Sequence, residues 1–515
     1  MKLKNILGTY VKFIFMVEFT LAAGLQYVRI LMLTNLNGIL NLGGHVLIWT
    51  TIALLSFAGV AAGDVYINEF VASNDEGLLD EDGESSDWIE IYNSGPSSVF
   101  LDGWSLSDDA VDPTKWVFPS LSISPGQYIV VFASGKDRAP LSGELHTNFS
   151  LEKNGEYLGL FNSGGAPIPS SVFSPAYPEQ KKDFSMGNPP AGPGAFVYYA
   201  TPTPGSAKSG TSYTGFVKKP DFSVARKFAT TPFSVSLSCP TSGAIIRYTT
   251  DGSAPTATSP PYPGPFTLSS TTTLRAAAFK TGWLASDSKT NTYIFLADVL
   301  TQSPNGEKPG PAWPDPFNAD RLQQWIDYGM DPDIVNSAEY GGDMITAMEA
   351  VPTISIVTDL EHLFDPTTGM YVNAKGDGKE WERPTSVELI YPDGTEGFQI
   401  NAGLRIRGGW SRNPWNPKHS FRLFFRSEYG ESKLVYPMFG DEGTDTFDNL
   451  DLRTSQNYAW SFYGDDRNTM NREVFSRDTQ RDMGHPYTRS RYYHLYLNGV
   501  YWGLFQTQER SEASY

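Results

Sequence analysis

Along most of the chain apolar and polar residues alternate in short runs, each closed by residues that favour turns. Strand-like runs fall at 116–118, 128–132 and 157–161. Between them stand Ser124-Pro125-Gly126 and Asn154-Gly155, where a tight reversal needs a fixed or a positive φ. Short strands at this spacing predict an all-β sandwich or barrel. A second set follows: Pro232-Phe233-Ser234-Val235-Ser236-Leu237, then Ile245-Ile246-Arg247-Tyr248, a Thr250-Asp251-Gly252-Ser253 turn, and Leu274-Arg275-Ala276-Ala277-Ala278-Phe279. Val351-Pro352-Thr353-Ile354-Ser355-Ile356-Val357 has the composition of a buried strand, and helical stretches are expected near 338–348 and over 468–483. The intervals differ in kind. Residues 188–221 are dense in Pro, Gly, Ser and Thr, which marks a linker or a loosely packed edge, whereas 300–350 is long for a simple loop.

At 515 residues the chain has length for about three domains. Apolar residues make up 40% and charged ones 19%, enough to build cores and without a bias towards disorder. The 48 Gly and 36 Pro, beside 12 Trp, 27 Tyr and 31 Phe, favour many short strands over long helices. The fold class expected is therefore mainly β and multidomain. A single cysteine, Cys239, excludes an intramolecular disulfide, a Cys-based zinc site and a CxxC pair, and is expected to be a small buried side chain. The net charge of −18 argues against nucleic acid as a partner.

The start of the chain departs from this pattern. Lys2, Lys4, Lys12 and Arg29 precede a stretch, 30–63, without Asp, Glu, Lys or Arg, and 46–62 is its most apolar part. Residues 1–62 read as a signal peptide or a membrane anchor, with Val60-Ala61-Ala62 offering a small-residue cleavage site before Gly63. The part before Met32 is long for a signal peptide, so a start of translation at Met32 is a further expectation. The protein is expected to be secreted or at the cell surface, touching a membrane only through this segment.

Residues 405–426 carry Arg405, Arg407, Arg412, Lys418, Arg422 and Arg426 and no acidic residue. Strand alternation puts Arg405 and Arg407 on one face and Lys418, Ser420 and Arg422 on another, with Gly408-Gly409-Trp410-Ser411 turning between them. Glycines there would let backbone N–H groups approach a phosphate. A phosphate cradle and a solvated basic sheet face fit this spacing equally. Asp441, Asp445, Asp448 and Asp451 read as solvated turn residues. From 64 to 114 there are fourteen acidic residues and no basic one. The cluster Asp80-Glu81-Asp82-Gly83-Glu84 invites Ca²⁺, but with Gly83 at the sixth position of an EF-hand loop the first and twelfth ligands would be Leu78 and Ile89. A solvated acidic loop is the reading favoured over Ca²⁺. The six histidines show no HExxH spacing, and no metal-ligating residue is assigned.

Several motifs resemble known families. Val65-Tyr66-Ile67-Asn68-Glu69-Phe70, Asp87-Trp88-Ile89-Glu90-Ile91-Tyr92-Asn93, Leu101-Asp102-Gly103-Trp104-Ser105-Leu106, Phe149-Ser150-Leu151 and a closing Thr203-Pro204-Gly205 resemble the lamin-tail domain. The resemblance implies an immunoglobulin-like sandwich over 64–207 and a binding or scaffolding role. Residues 219–298 look like the small sandwich near the C-termini of chitobiases, which implies a spacer or a sugar-associated module, with 299–350 as a linker carrying a short helix. Arg407-Gly408-Gly409-Trp410-Ser411, Pro417-Lys418-His419-Ser420-Phe421-Arg422, Leu452-Arg453, Arg472-Glu473 and Leu495-Tyr496-Leu497-Asn498-Gly499-Val500-Tyr501-Trp502-Gly503-Leu504 resemble the CotH family of atypical protein kinases. That resemblance implies a partial α+β kinase-like lobe over 351–515 that takes ATP and Mg²⁺ when complete. Carried over, Gly408, Gly409 and Ser411 form the phosphate loop, Lys418 contacts phosphate, and Arg407 and Arg422 add charge. Glu473 is either the carboxylate partner of Lys418 or a plain surface glutamate. The family's catalytic aspartates follow the Glu509-Arg510 position, so a truncated domain is expected and no catalytic residue is assigned. Two functional readings result: an exported ATP-dependent kinase acting on an unidentified protein substrate or cell-surface component, and an adhesive or scaffolding surface protein whose kinase-like part is inert.

Overall fold

The computed structural model describes residues 65–316, 324–454 and 469–509, together with the backbone of three earlier strands. Those strands, Ile14–Val17, Ile30–Leu42 and His45–Ile52, pair antiparallel. The rest of the expected signal or anchor segment, including Val60-Ala61-Ala62, lies outside the described residues. No helix among the described residues is long and apolar enough to cross a membrane. The chain divides into two compact units, 1–195 with 201–209 and 196–200 with 210–515.

In the first unit the period-two runs build two sheets. One orders its strands Leu145–His146, Tyr128–Ala133, Asp87–Asn93, Val65–Val71 and Ser185–Gly187; the other orders Pro167–Phe173, Leu158–Phe161, Ser105–Ser107 and Trp116–Val117. Ile67, Ile89, Ile91 and Val131 from the first sheet and Leu106 and Leu160 from the second are fully buried, and Phe70 meets Phe173 edge to face. The result is an immunoglobulin-like sandwich. A bulge at Asn68 sets Glu69 opposite Glu90, and both are fully buried. Two adjacent buried carboxylates need full compensation. The closing segment supplies it: Thr203 donates to Glu69 from N at 3.2 Å and from Oγ1 at 3.0 Å, Gly205 N donates to Glu90 at 2.5 Å, and the Lys208 ammonium pairs with Glu69. Thr203 and Gly205 thus belong to the sandwich through these two glutamates.

The second unit contains a small sandwich and a barrel. The sandwich has a four-stranded sheet, ordered Lys227–Phe228, Lys289–Ile294, Thr272–Phe279 and Ile245–Thr249, faced by the pair Phe233–Val235 and Phe266–Leu268, over a core of Val235, Leu268, Leu274, Ala276 and Tyr293. Cys239 is half-buried rather than buried, its thiol 3.3 Å from the Lys218 carbonyl. The barrel closes through Thr353–Val357, Arg383–Ile390, Gln399–Arg407, Ser420–Phe424, Asn449–Thr454, Val500–Gln508 and Ser490–Leu497, which pairs parallel with the first. Ile356, Leu389, Leu404, Phe421, Leu452 and Trp502 fill it. The 299–350 stretch, read as a linker, contributes Trp313, Ile326 and Tyr328 to this core. Its short helix runs Met344–Met348, and a longer one spans Arg472–Asp482.

Read from sequence as a spacer or a sugar-associated module, the small sandwich is seated on the barrel by buried polar contacts. Glu388, on the Arg383–Ile390 strand, accepts from Arg226 Nε and from Thr292 N, both at 3.0 Å, and Thr292 Oγ1 lies 2.8 Å from Ser355 Oγ. Nearby, Asp359 accepts from Ala254 N at 2.6 Å.

Candidate functional site

Strand register decides where the basic side chains go. Arg405 pairs with Arg422 and Arg407 with Ser420, while Ile406 and Phe421 face the barrel interior. Arg405, Arg407 and Arg422 therefore share one outer face. Asp451 joins them from the next strand, where it is the register partner of Arg422. Its carboxylate accepts from Arg422 at 2.5 and 3.1 Å and lies 2.7 Å from Arg407 Nε as an ion pair. The expectation of a solvated turn at Asp451 is thus corrected: it is a buried strand residue that neutralises two of the arginines. Glu382 lies 3.4 Å from Arg405 Nε and 3.0 Å from Arg426 Nε. Between these groups opens a cleft of about 330 Å³, lined by Asp377, Arg405, Arg407, Gly408, Arg412 and Arg422. Residues 405–426 lack acids, but the fold brings Glu382, Asp377 and Asp451 to them from 23 to 28 positions outside the stretch.

The glycine turn serves the fold first. Gly408 takes φ +97°, and a Cβ there would strike the Ser411 hydroxyl. That hydroxyl donates to the Arg407 carbonyl, so buried Ser411 turns inward rather than towards the cleft. Arg412 clamps the turn, donating to the carbonyls of Gly408 at 2.5 Å, Ile406 at 2.9 Å and Ala374 at 3.1 Å. Gly409 remains open: a Cβ at this position would meet nothing within 4 Å.

Lys418 is parted from this cleft. The chain bends at 417–418 before the Ser420–Phe424 strand begins, so alternation does not carry back to Lys418, which does not share the Arg422 face. Its ammonium donates to the Asp327 carbonyl and lies 4.1 Å above the Trp502 ring. No carboxylate pairs with it among the described residues. Burial pulls its pKa down to about 8, against a weaker upward pull from Asp327. It faces a pocket of about 250 Å³ lined also by Thr454, Met470, Gly503, Leu504 and Phe505. Glu473 is not its partner: on the Arg472–Asp482 helix it binds Arg453 and, at 2.6 Å, Arg477. A cation at the fourth position along the helix and another on the neighbouring strand capture it.

The acidic loop of the first unit is exposed at Glu81, Asp82 and Glu84, as expected of a solvated loop, while Asp80 is buried and paired. Asp80 accepts from Asp82 N and Glu84 N at 3.0 Å and from Ser86 Oγ at 2.9 Å, and Lys136 Nζ lies 2.6 Å from Asp80 and Asp82 and 3.0 Å from Glu84. Burial works to raise the Asp80 pKa, but these hydrogen bonds outweigh it and hold the carboxyl well below the usual range. Lys136 takes the position that the sequence offered to Ca²⁺. The signal was its alternation with Arg138, 54 residues beyond Asp82.

A sandwich, a second sandwich and a barrel with a cation-bearing pocket define a modular, mainly β protein, and comparison with protein families assigns each part. Residues 59–172 match the Lamin Tail Domain, 226–292 the chitobiase/beta-hexosaminidase C-terminal domain, and 404–515 the CotH kinase protein family. The last match covers the basic stretch, the Lys418 pocket wall and Glu473. No curated protein matches the chain.

Proposed function

We propose that this is an exported modular surface protein whose CotH-like barrel binds ATP by its phosphates at Lys418. The observation that carries this reading is a half-buried ammonium, without a carboxylate ion pair among the described residues, at the wall of a 250 Å³ pocket that Asp327 also lines. An anion there gains a charge-assisted bond in surroundings already stripped of water. Leu504, Phe505 and Met470 offer apolar area for a base. Arg407 and Arg422 are a poorer phosphate site because Asp451 already holds both. Mg²⁺ fits less well than the phosphates do: no group of three acidic or histidine ligands adjoins Lys418 among the described residues. Bound Mg²⁺ supplies charge neutralisation between phosphates in phosphoryl transfer. The chain's own contribution is to bind and orient the nucleotide.

The adhesive or scaffolding reading has one observation in its favour, the capture of Glu473 by Arg453 and Arg477, which leaves Lys418 without the glutamate that ordinary kinases use. Calorimetric titration of the full chain with ATP distinguishes the two. Losing one charge-assisted bond of about 1.5–3 kcal/mol weakens binding roughly 10- to 100-fold in Lys418→Ala. Arg407→Ala should change it little. Absence of ATP binding by the folded wild-type chain, or equal affinity in Lys418→Ala, removes the nucleotide reading. Export carries its own test: secreted protein should begin near Gly63 by amino-terminal sequencing, and a membrane-bound chain retaining 46–62 would replace cleavage with an anchor.

A further inference from the structure

We infer that the lamin-tail sandwich holds a divalent transition-metal ion, of the zinc type, between His146, Glu144 and Glu81. His146 lies on the short strand Leu145–His146 and Glu144 just before it, their ligand atoms 4.0 Å apart, and Glu81 arrives from the turn that Asp80 fixes. Ligand atoms of the three side chains lie within 4.8 Å of one another. An acidic pair on a surface means little by itself. The second observation is the imidazole: His146 is fully buried, and its Nε2 has no hydrogen-bond partner although it points at both carboxylates, 3.8 Å from Glu81 and 4.0 Å from Glu144. Those separations are too long for hydrogen bonds and slightly wider than the roughly 3.4 Å between two ligands of a tetrahedral ion at about 2.1 Å from each. The Glu144 carboxylate also accepts from Glu81 N at 2.6 Å, which holds the two glutamates together, and an ion drawing both in by a few tenths of an ångström satisfies all three.

The other ring nitrogen is already arranged for this. Nδ1 lies 2.9 Å from Ser134 Oγ, and the ring stacks on Phe132 with centroids 5.3 Å apart. With the proton on Nδ1 donated to Ser134, Nε2 is left as a lone-pair donor with a fixed orientation, as metal-bound histidines require. One imidazole and two carboxylates, with room for water on the exposed side, suit zinc better than Ca²⁺ or Mg²⁺, which take oxygen alone. One group opposes the ion. Arg138 is joined to His146 by a two-way backbone bridge, and its guanidinium donates to Glu81 at 2.9 Å and lies 2.8 Å from Asp82. It is part-exposed and can swing to Asp82 alone as a metal takes Glu81.

The test is titration of the full chain with Co²⁺ as an optical probe and Zn²⁺ as its competitor. The expectation is one ion per chain, a low-coordinate Co²⁺ absorption band bleached by Zn²⁺, and no bleaching by Ca²⁺ or Mg²⁺ at the same concentration. His146→Gln should abolish the band. Because a core substitution can unfold the sandwich, Glu144→Gln, at a half-exposed position, is the second variant and should weaken binding at least about tenfold. Arg138→Gln should tighten it by removing the competing cation. Absence of a band in the folded chain overturns the proposal, and so does a band that survives both His146→Gln and Glu144→Gln, which would put the ion at another histidine. Neither result bears on ATP, whose proposed site is in the other unit.

Discussion

Replacing Asp451 with Asn keeps the shape of the side chain and removes the charge that holds Arg407 and Arg422. The aspartate side chain is 2% exposed, against 27% and 19% for the two arginines. Removing one partner of a buried pair costs about 3–5 kcal/mol, whereas exposed pairs contribute about 0–1 kcal/mol. Here the lost partner is buried, but both guanidiniums can recover water, so the expected cost is about 2 kcal/mol. At roughly 1.5 °C per kcal/mol for a unit of this size, the melting temperature of the second unit falls by about 3 °C, read by differential scanning calorimetry of the full chain. The same variant leaves five arginines facing two carboxylates rather than three, so inorganic triphosphate should bind the cleft more tightly. ATP affinity, which the proposed function assigns to Lys418, should stay within about twofold. A melting shift below about 1 °C would refute the pairing argument and restore the solvated basic face. A gain in ATP affinity well beyond twofold in a folded Asp451→Asn chain would move the nucleotide into the arginine cleft.

Burial raises the Glu90 pKa to about 7, with Asn68 and Lys208 pulling against it. The folded chain thus binds this proton more tightly than the unfolded one, so the stability of the first unit should fall as pH rises from about 4.5 to 7. Glu90→Gln should flatten that slope in thermal melts from pH 5 to 8 and leave the fold intact; an unchanged slope would exclude Glu90 as its source. At the joint in the second unit, Arg226→Ala strands the buried Glu388 carboxylate and should cost about 3 kcal/mol in urea unfolding. Adding Glu388→Gln should recover part of it, and an additive double variant would show that the two side chains do not interact.

Local pattern carried most of the architecture. The runs at 128–132, 157–161 and 351–357 fold as strands because each alternates or clusters apolar residues between turn formers, and the tail, chitobiase-type and CotH-type segments were legible from ordered motifs. What local pattern could not give was the meeting of residues far apart. Asp451 looks like one of four loop aspartates until the Ser420–Phe424 strand pairs with Asn449–Thr454 and sets it against Arg422. Alternation counted back through a bend misplaced Lys418, and Glu473 was drawn to Lys418 by analogy when its own helix and Arg453 claim it. The acidic loop showed its exposure but not its cation, since Lys136 reaches it from the end of the neighbouring strand Tyr128–Ala133. His146 gave no motif at all: an isolated histidine becomes conspicuous only when its Nε2 is found buried and unpaired.

The central claim is that the Lys418 ammonium, with its pKa lowered to about 8, receives the nucleotide phosphates. It predicts a titration that an ordinary lysine would not show. Phosphate groups are fully ionised above about pH 7, so any loss of affinity between roughly pH 7 and 9 reports on the protein. Lys418 is charged below about pH 8 and neutral above it, and ATP affinity of the full chain should fall as pH rises through that value. Lys418→Arg, which stays charged, should remove the fall, and Lys418→Met should bind weakly at every pH. Calorimetry across this window, with fold checked by circular dichroism at each pH, is the most direct measurement. A wild-type affinity that stays flat from pH 7 to 9, or a Lys418→Met chain that binds like wild type, contradicts the account.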